Sequence, residues 1–121
     1  MTVMGKGGGN VRFDERLRNA QVDRLFEAIR TLKSVEEYYQ FFEDLCTVTE
    51  IRTMAQRFRA AEMLDRGAKY EEVVADTGMS SATISRIKRF LNYGADGYNM
   101  AIERLAAEED DEEPPSVTRF E

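Results

Sequence analysis

From Gly78 to Arg89 the chain has no aspartate or glutamate, although it is acidic as a whole. Ser80, Ser81, Ala82, Thr83 and Ser85 supply short side chains in this window, and Arg86, Lys88 and Arg89 supply cations. Such a set suits a polyanion. Short groups allow close approach to base edges, cations reach phosphates, and carboxylates must be kept away because they would repel the strand. Lys69, just upstream, joins these eight as a candidate DNA-facing residue. Bond-making chemistry has little to work with. The chain has no histidine, which excludes imidazole catalysis, and its serines and carboxylates form no catalytic constellation. One cysteine, Cys46, forbids an internal disulfide, and neither a metal site nor a cofactor is expected.

The elements that must position these residues read as two short helices and a tight turn. Glu71–Thr77 forms the first, with Val73 and Val74 as its apolar face. Gly78 follows, where a left-handed residue commonly ends a helix at no steric cost to glycine. Ser80 is placed to cap the second helix, Ser81 to Leu91, by accepting an amide of its first turn. Ile84, Ile87, Lys88 and Leu91 share one face of that helix. Ser81, Ala82, Ser85, Arg86 and Arg89 share the other. This is the layout of a helix-turn-helix, whose second helix inserts its N-terminal side chains into the major groove. An ordinary helical hairpin has the same two helices and glycine; the missing acids set this one apart.

Upstream, a stripe of Leu17, Val22, Leu25, Phe26, Ile29 and Leu32 predicts a helix from about Asp14 to Leu32. Ser34 followed by Glu37 has the form of a capping box and opens a second helix. That helix is apolar on more than one side, through Val35, Tyr38, Tyr39 and Phe42, with Phe41 and Leu45 widening the face. The surplus requires cover from several directions and points to a dimer. Thr47 and Glu50 form a second box, opening a helix to about Arg66 that ends at Gly67; Arg52, Arg57, Arg59 and Arg66 lie off its apolar side. After the motif, Asn92-Tyr93-Gly94 breaks the chain, and Asp96 caps a last helix through Leu105. The prediction is all-α, about six helices, with no strand and no repeat.

The 121 residues suit one domain with short appendages. Residues 1–13 are expected to form a flexible leader, 14–107 the helical domain and 108–121 an acidic, disordered tail. No apolar run approaches a membrane span and the start lacks a signal-peptide core, so a cytoplasmic protein is expected. The net charge of −6 is matched by the six consecutive acids from Glu108 to Glu113, leaving the remainder neutral. Such a block either keeps the protein soluble or competes with DNA for the basic face.

The run from Thr47 to Leu105, with Thr47, Arg57, the Arg66-Gly67 helix end, Gly78 and Ala82-Thr83-Ile84-Ser85-Arg86, resembles the Trp-repressor-like proteins, and more closely their bacterial YerC/YecD-type branch. The similarity extends from about Val22 to Leu105. It implies an all-α homodimer with interlocked N-terminal helices, whose two helix-turn-helix heads face one side of double-stranded DNA at a pseudo-palindromic operator. In true Trp repressors two arginines clamp the corepressor's indole, and a glycine follows the second. Arg57 and Arg86 match the arginines and Thr47 matches a threonine that helps hold the ligand. Ile87 stands in the glycine's place. Thr47, Arg57, Arg86 and Ile87 would thus mark a vestigial effector pocket that is plugged, and no tryptophan response is expected. The leading expectation is a dimeric transcriptional regulator. The competing one is a protein-interaction module that uses this scaffold without DNA, which the acidic tail and low charge favour.

Overall fold

Short polar side chains set where the helices begin. The structure, a computed structural model, describes residues 13–112. It holds α1 (Ala20–Arg30), α2 (Val35–Leu45), α3 (Val48–Asp65), α4 (Tyr70–Thr77), α5 (Ser81–Tyr93) and α6 (Gly97–Glu112), with no strand among the described residues. Asn19 Oδ1 accepts the Val22 amide at 2.8 Å to open α1. Ser34 Oγ accepts from Glu37 at 3.2 Å to open α2, and Ser80 Oγ accepts from Thr83 at 3.2 Å to open α5. Thr47 and Glu50 close a full capping box on α3, at 3.0 Å and 2.8 Å. Each such bond satisfies an amide that the first turn leaves without a partner. The Ser34 box is only half formed, because the Glu37 carboxylate reaches one residue further and accepts from the Lys33 amide at 2.7 Å.

The first helix starts later than its apolar stripe suggests. Asp14 caps only one 3-10 turn, Glu15–Leu17, and the chain then runs extended through Arg18 and Asn19. The Asn19 cap wins because its short amide offers the backbone a local alternative to continued helix. At the other end, α6 carries the acidic run in helical form as far as Glu112, so over 108–112 the acids are not the disordered tail that their charge suggests. The helix is anchored at its start by Tyr98 and Ile102, and by Asn99, whose side-chain amide donates to the Leu91 carbonyl at 2.9 Å. Extending an existing helix is far easier than nucleating one. The leader up to residue 12 and the tail beyond 112 lie outside the described residues.

Packing divides the chain in two. The buried apolar side chains are Ala60, Ala61, Leu64, Val73, Ile84, Ile87 and Leu91. They hold the second half of α3, α4 and α5 together, with Met63, Ala68, Met79, Tyr98 and Ile102 around them. Phe58 on α3 meets Tyr98 on α6, ring centroids 6.4 Å apart. No residue of α1 or α2 is buried. Phe26, Val35, Tyr39 and Val48 are all at least 60% exposed, a large apolar surface to leave in water. Phe13 and Leu17 line two open apolar hollows, of about 660 and 340 Å³. The larger faces Phe90 and the Gly94–Tyr98 turn; the smaller faces Val22 and Phe26. No described helix is long and apolar enough to cross a membrane.

Candidate nucleic-acid interface

The turn between α4 and α5 is closed by backbone and hydroxyl together. Gly78 takes φ 75°, and its amide donates to the Val74 carbonyl at 2.8 Å. A side chain at this left-handed position would be strained. The buried Thr77 hydroxyl donates to the Val73 carbonyl at 2.7 Å and accepts from the Met79 amide at 3.2 Å. Val73 and Thr77 are buried while Val74 is partly exposed, so the apolar face of α4 is narrower than the valine pair suggests. At the far end of α5, Gly94 lies against the preceding turn; a Cβ there would stand 2.6 Å from the Phe90 carbonyl oxygen.

On α5, Ile84, Ile87 and Leu91 face the core, and Ser81, Ala82, Ser85, Arg86 and Arg89 are exposed as their spacing requires. Ser80 is exposed and occupied with its cap, its Oγ also donating to Thr83 Oγ1 at 3.1 Å. Thr83 and Lys88 are half-buried on the flanks of the helix. Lys69 stands exposed before α4, with its amide held by the Glu72 carboxylate at 2.8 Å. The structure therefore gathers Ser81, Ala82, Ser85, Arg86 and Arg89 on one surface, while Lys69 lies on the preceding element.

An ion pair that the sequence does not announce ties the head together. Arg59 Nε on α3 donates to Asp76 Oδ2 on α4 at 2.9 Å. This hydrogen bond, with the charge of Asp76 behind it, holds the Arg59 guanidinium above its ordinary pKa. Arg59 is thus engaged within the protein, and the acid nearest the turn is matched by a cation. Two partners seventeen positions apart share no periodicity, so no sequence signal marks them.

The four effector-pocket residues lie on α3, its cap included, and on α5, two helices that pack against each other. Thr47 caps α3 and Arg57 lies ten residues further on, about 15 Å along the helix axis. Arg57 is exposed, in the same helical row as Ala60, Ala61 and Leu64 and one turn before the first of them. Arg86 is exposed on the outward side of α5. Ile87 is 3% exposed and belongs to the core cluster.

Residues 20–106 match the family model described as Trp repressor protein. The chain is 50% identical over 91 residues to the uncharacterized protein YerC of Bacillus subtilis, covering 75% of this chain and 88% of YerC. A TrpR-like protein from Eubacterium eligens, known from its crystal structure, is 47% identical with a TM-score of 0.74, over 77% of this chain and 96% of that one. A candidate Trp repressor from Staphylococcus aureus, also a crystal structure, is 49% identical with a TM-score of 0.72, over 76% and 92%.

Proposed function

The chain belongs to the Trp repressor family, and we propose that it is a dimeric, sequence-specific DNA-binding transcriptional regulator of the cytoplasm that does not respond to tryptophan. The observation that carries this reading is the outward face of α5, where short polar groups at the helix start give way to cations with no acid between them. Ser81, Ala82 and Ser85 meet base edges, because short side chains let the helix start approach the groove floor. Arg86, Lys88 and Arg89 serve phosphates, with Lys69, Ser80 and Thr83 at the margin of the contact. The dimer follows from α1 and α2. Eleven-residue helices without a buried face are marginal on their own, so a second subunit must cover them. Two heads related by a two-fold axis then read a pseudo-palindromic site about 34 Å from centre to centre.

Paired substitutions test the division of labour on α5. Arg89→Ala is expected to weaken binding to all duplexes alike and to lower the salt slope by about one for each phosphate that Arg89 neutralises. Ser85→Ala is expected to change which base is preferred and to leave the slope alone. If Arg89→Ala shifts sequence preference and Ser85→Ala does not, the roles are reversed.

The acid-rich end of α6 favours a second reading, a protein-interaction module without DNA. Such a partner need not show the steep salt dependence that counterion release imposes on DNA binding.

A further inference from the structure

We infer that Tyr93 extends the proposed DNA contact beyond the cations of α5, its phenol hydroxyl donating to a backbone phosphate at the rim of the major groove. The inference rests on the reading of α5 as the recognition helix. Ala82, Arg86, Arg89 and Tyr93 are spaced four, three and four residues apart, which sets them in one row along a helix. That row lies opposite the buried Ile84, Ile87 and Leu91, so Tyr93 ends the ridge that faces furthest from the core. It is 82% exposed, more than any other large apolar or aromatic side chain among the described residues. No aspartate or glutamate occurs along this segment, from Gly78 to Ala95, and the acids Asp14 and Asp96 line the hollow beside Phe90 and Gly94.

The reach also fits. Ala82 and Tyr93 are about 16 Å apart along the axis, and the major groove is about 12 Å wide and 8.5 Å deep. A helix that enters the groove by its N-terminal end, with Ala82 at the floor, carries Tyr93 beyond the groove's depth. Its last turn emerges at the height of the strands, where a phosphate is the group on offer. A tyrosine suits that position, with an apolar ring against sugar and a hydroxyl as donor.

The test compares full-length native protein, Tyr93→Ala, Tyr93→Phe and Arg89→Ala on one selected duplex between 50 and 200 mM salt. Loss of two hydrogen bonds, one from each subunit of the dimer, is expected to weaken Tyr93→Ala about five- to a hundredfold. The factor should be the same at every salt concentration, because a neutral phenol releases no counterion. Tyr93→Phe should show most of that loss, and neither variant should change the thermal midpoint. Arg89→Ala, in contrast, should change the slope. Native-like affinity of Tyr93→Ala would overturn the inference while leaving the DNA reading intact. A Tyr93→Ala variant whose dimer dissociates more readily would overturn it too, assigning the side chain to a protein contact. If the native protein binds no duplex, the inference falls together with the proposed function.

Discussion

Replacing Ile87 by alanine is expected to lower the stability of the folded protein by about 2–5 kcal/mol, the range for removing most of a buried isoleucine from a packed core. Ile87 is 3% exposed and shares its cluster with Ala60, Ala61, Leu64, Val73, Ile84 and Leu91, so the void has rigid walls. Denaturant unfolding measures the loss; a change below about 0.5 kcal/mol, the usual surface value, would mean that Ile87 does not fill the core. In the proposed function the same side chain also bars a response to L-tryptophan. The resemblance to Trp repressors places their glycine at this position, and on our proposal the four side-chain carbons of Ile87 fill the space an indole would need. Displacing a packed side chain costs about 1–3 kcal/mol, which weakens a ligand roughly fivefold to more than a hundredfold. Calorimetric titration should therefore detect no tight binding of tryptophan to the native protein. Ile87→Gly loses helix propensity as well as packing, and Ile87→Ala keeps the comparison usable if the glycine variant unfolds. Tight tryptophan binding by the native protein would overturn the plugged pocket.

The second large effect is on assembly. Placing a carboxylate on the uncovered helices, as in Phe26→Glu or Tyr39→Glu, is expected to abolish the dimer and to melt α1 and α2. In a single chain Phe26 is 61% and Tyr39 72% exposed, so a charge there would cost a monomer nothing. Buried between subunits, an unpaired carboxylate costs several kcal/mol. Sedimentation and far-ultraviolet circular dichroism measure both consequences. The native thermal midpoint should rise with protein concentration, as linked folding and assembly require. A native protein that sediments as a monomer at micromolar concentration, with its full helix content, would contradict this account.

The helix-turn-helix was legible because its signals are local. Ser80, Gly78 and the Ile84–Ile87–Leu91 stripe each act through neighbours within a turn or two, and all three stand as their spacing implies. The capping box at Thr47 is equally local and fully formed. The stripe from Leu17 to Leu32 misplaced the start of α1, since periodicity continues across a break that Asn19 imposes through one side-chain bond. Charge density was a poor guide to the end of α6. Glutamate is a good helix former, and repulsion among the acids does not undo a helix anchored at its other end by Tyr98, Asn99 and Ile102. The Arg59–Asp76 pair was invisible because it depends on how α3 crosses α4. Tyr93 was read as part of a helix break. Its place at the end of a ridge emerged only once α5 ran two residues past Leu91.

Selection of bound duplexes from a random pool, followed by titration of the winners at rising salt, tests the central claim most directly. The account predicts enriched sites with two-fold symmetry and half-site centres one duplex turn apart, about 34 Å. It also predicts affinity that falls by about a thousandfold or more between 50 and 200 mM salt, for roughly six to ten phosphate contacts. A pool that shows no enrichment, with no duplex bound at 50 mM salt, would contradict it.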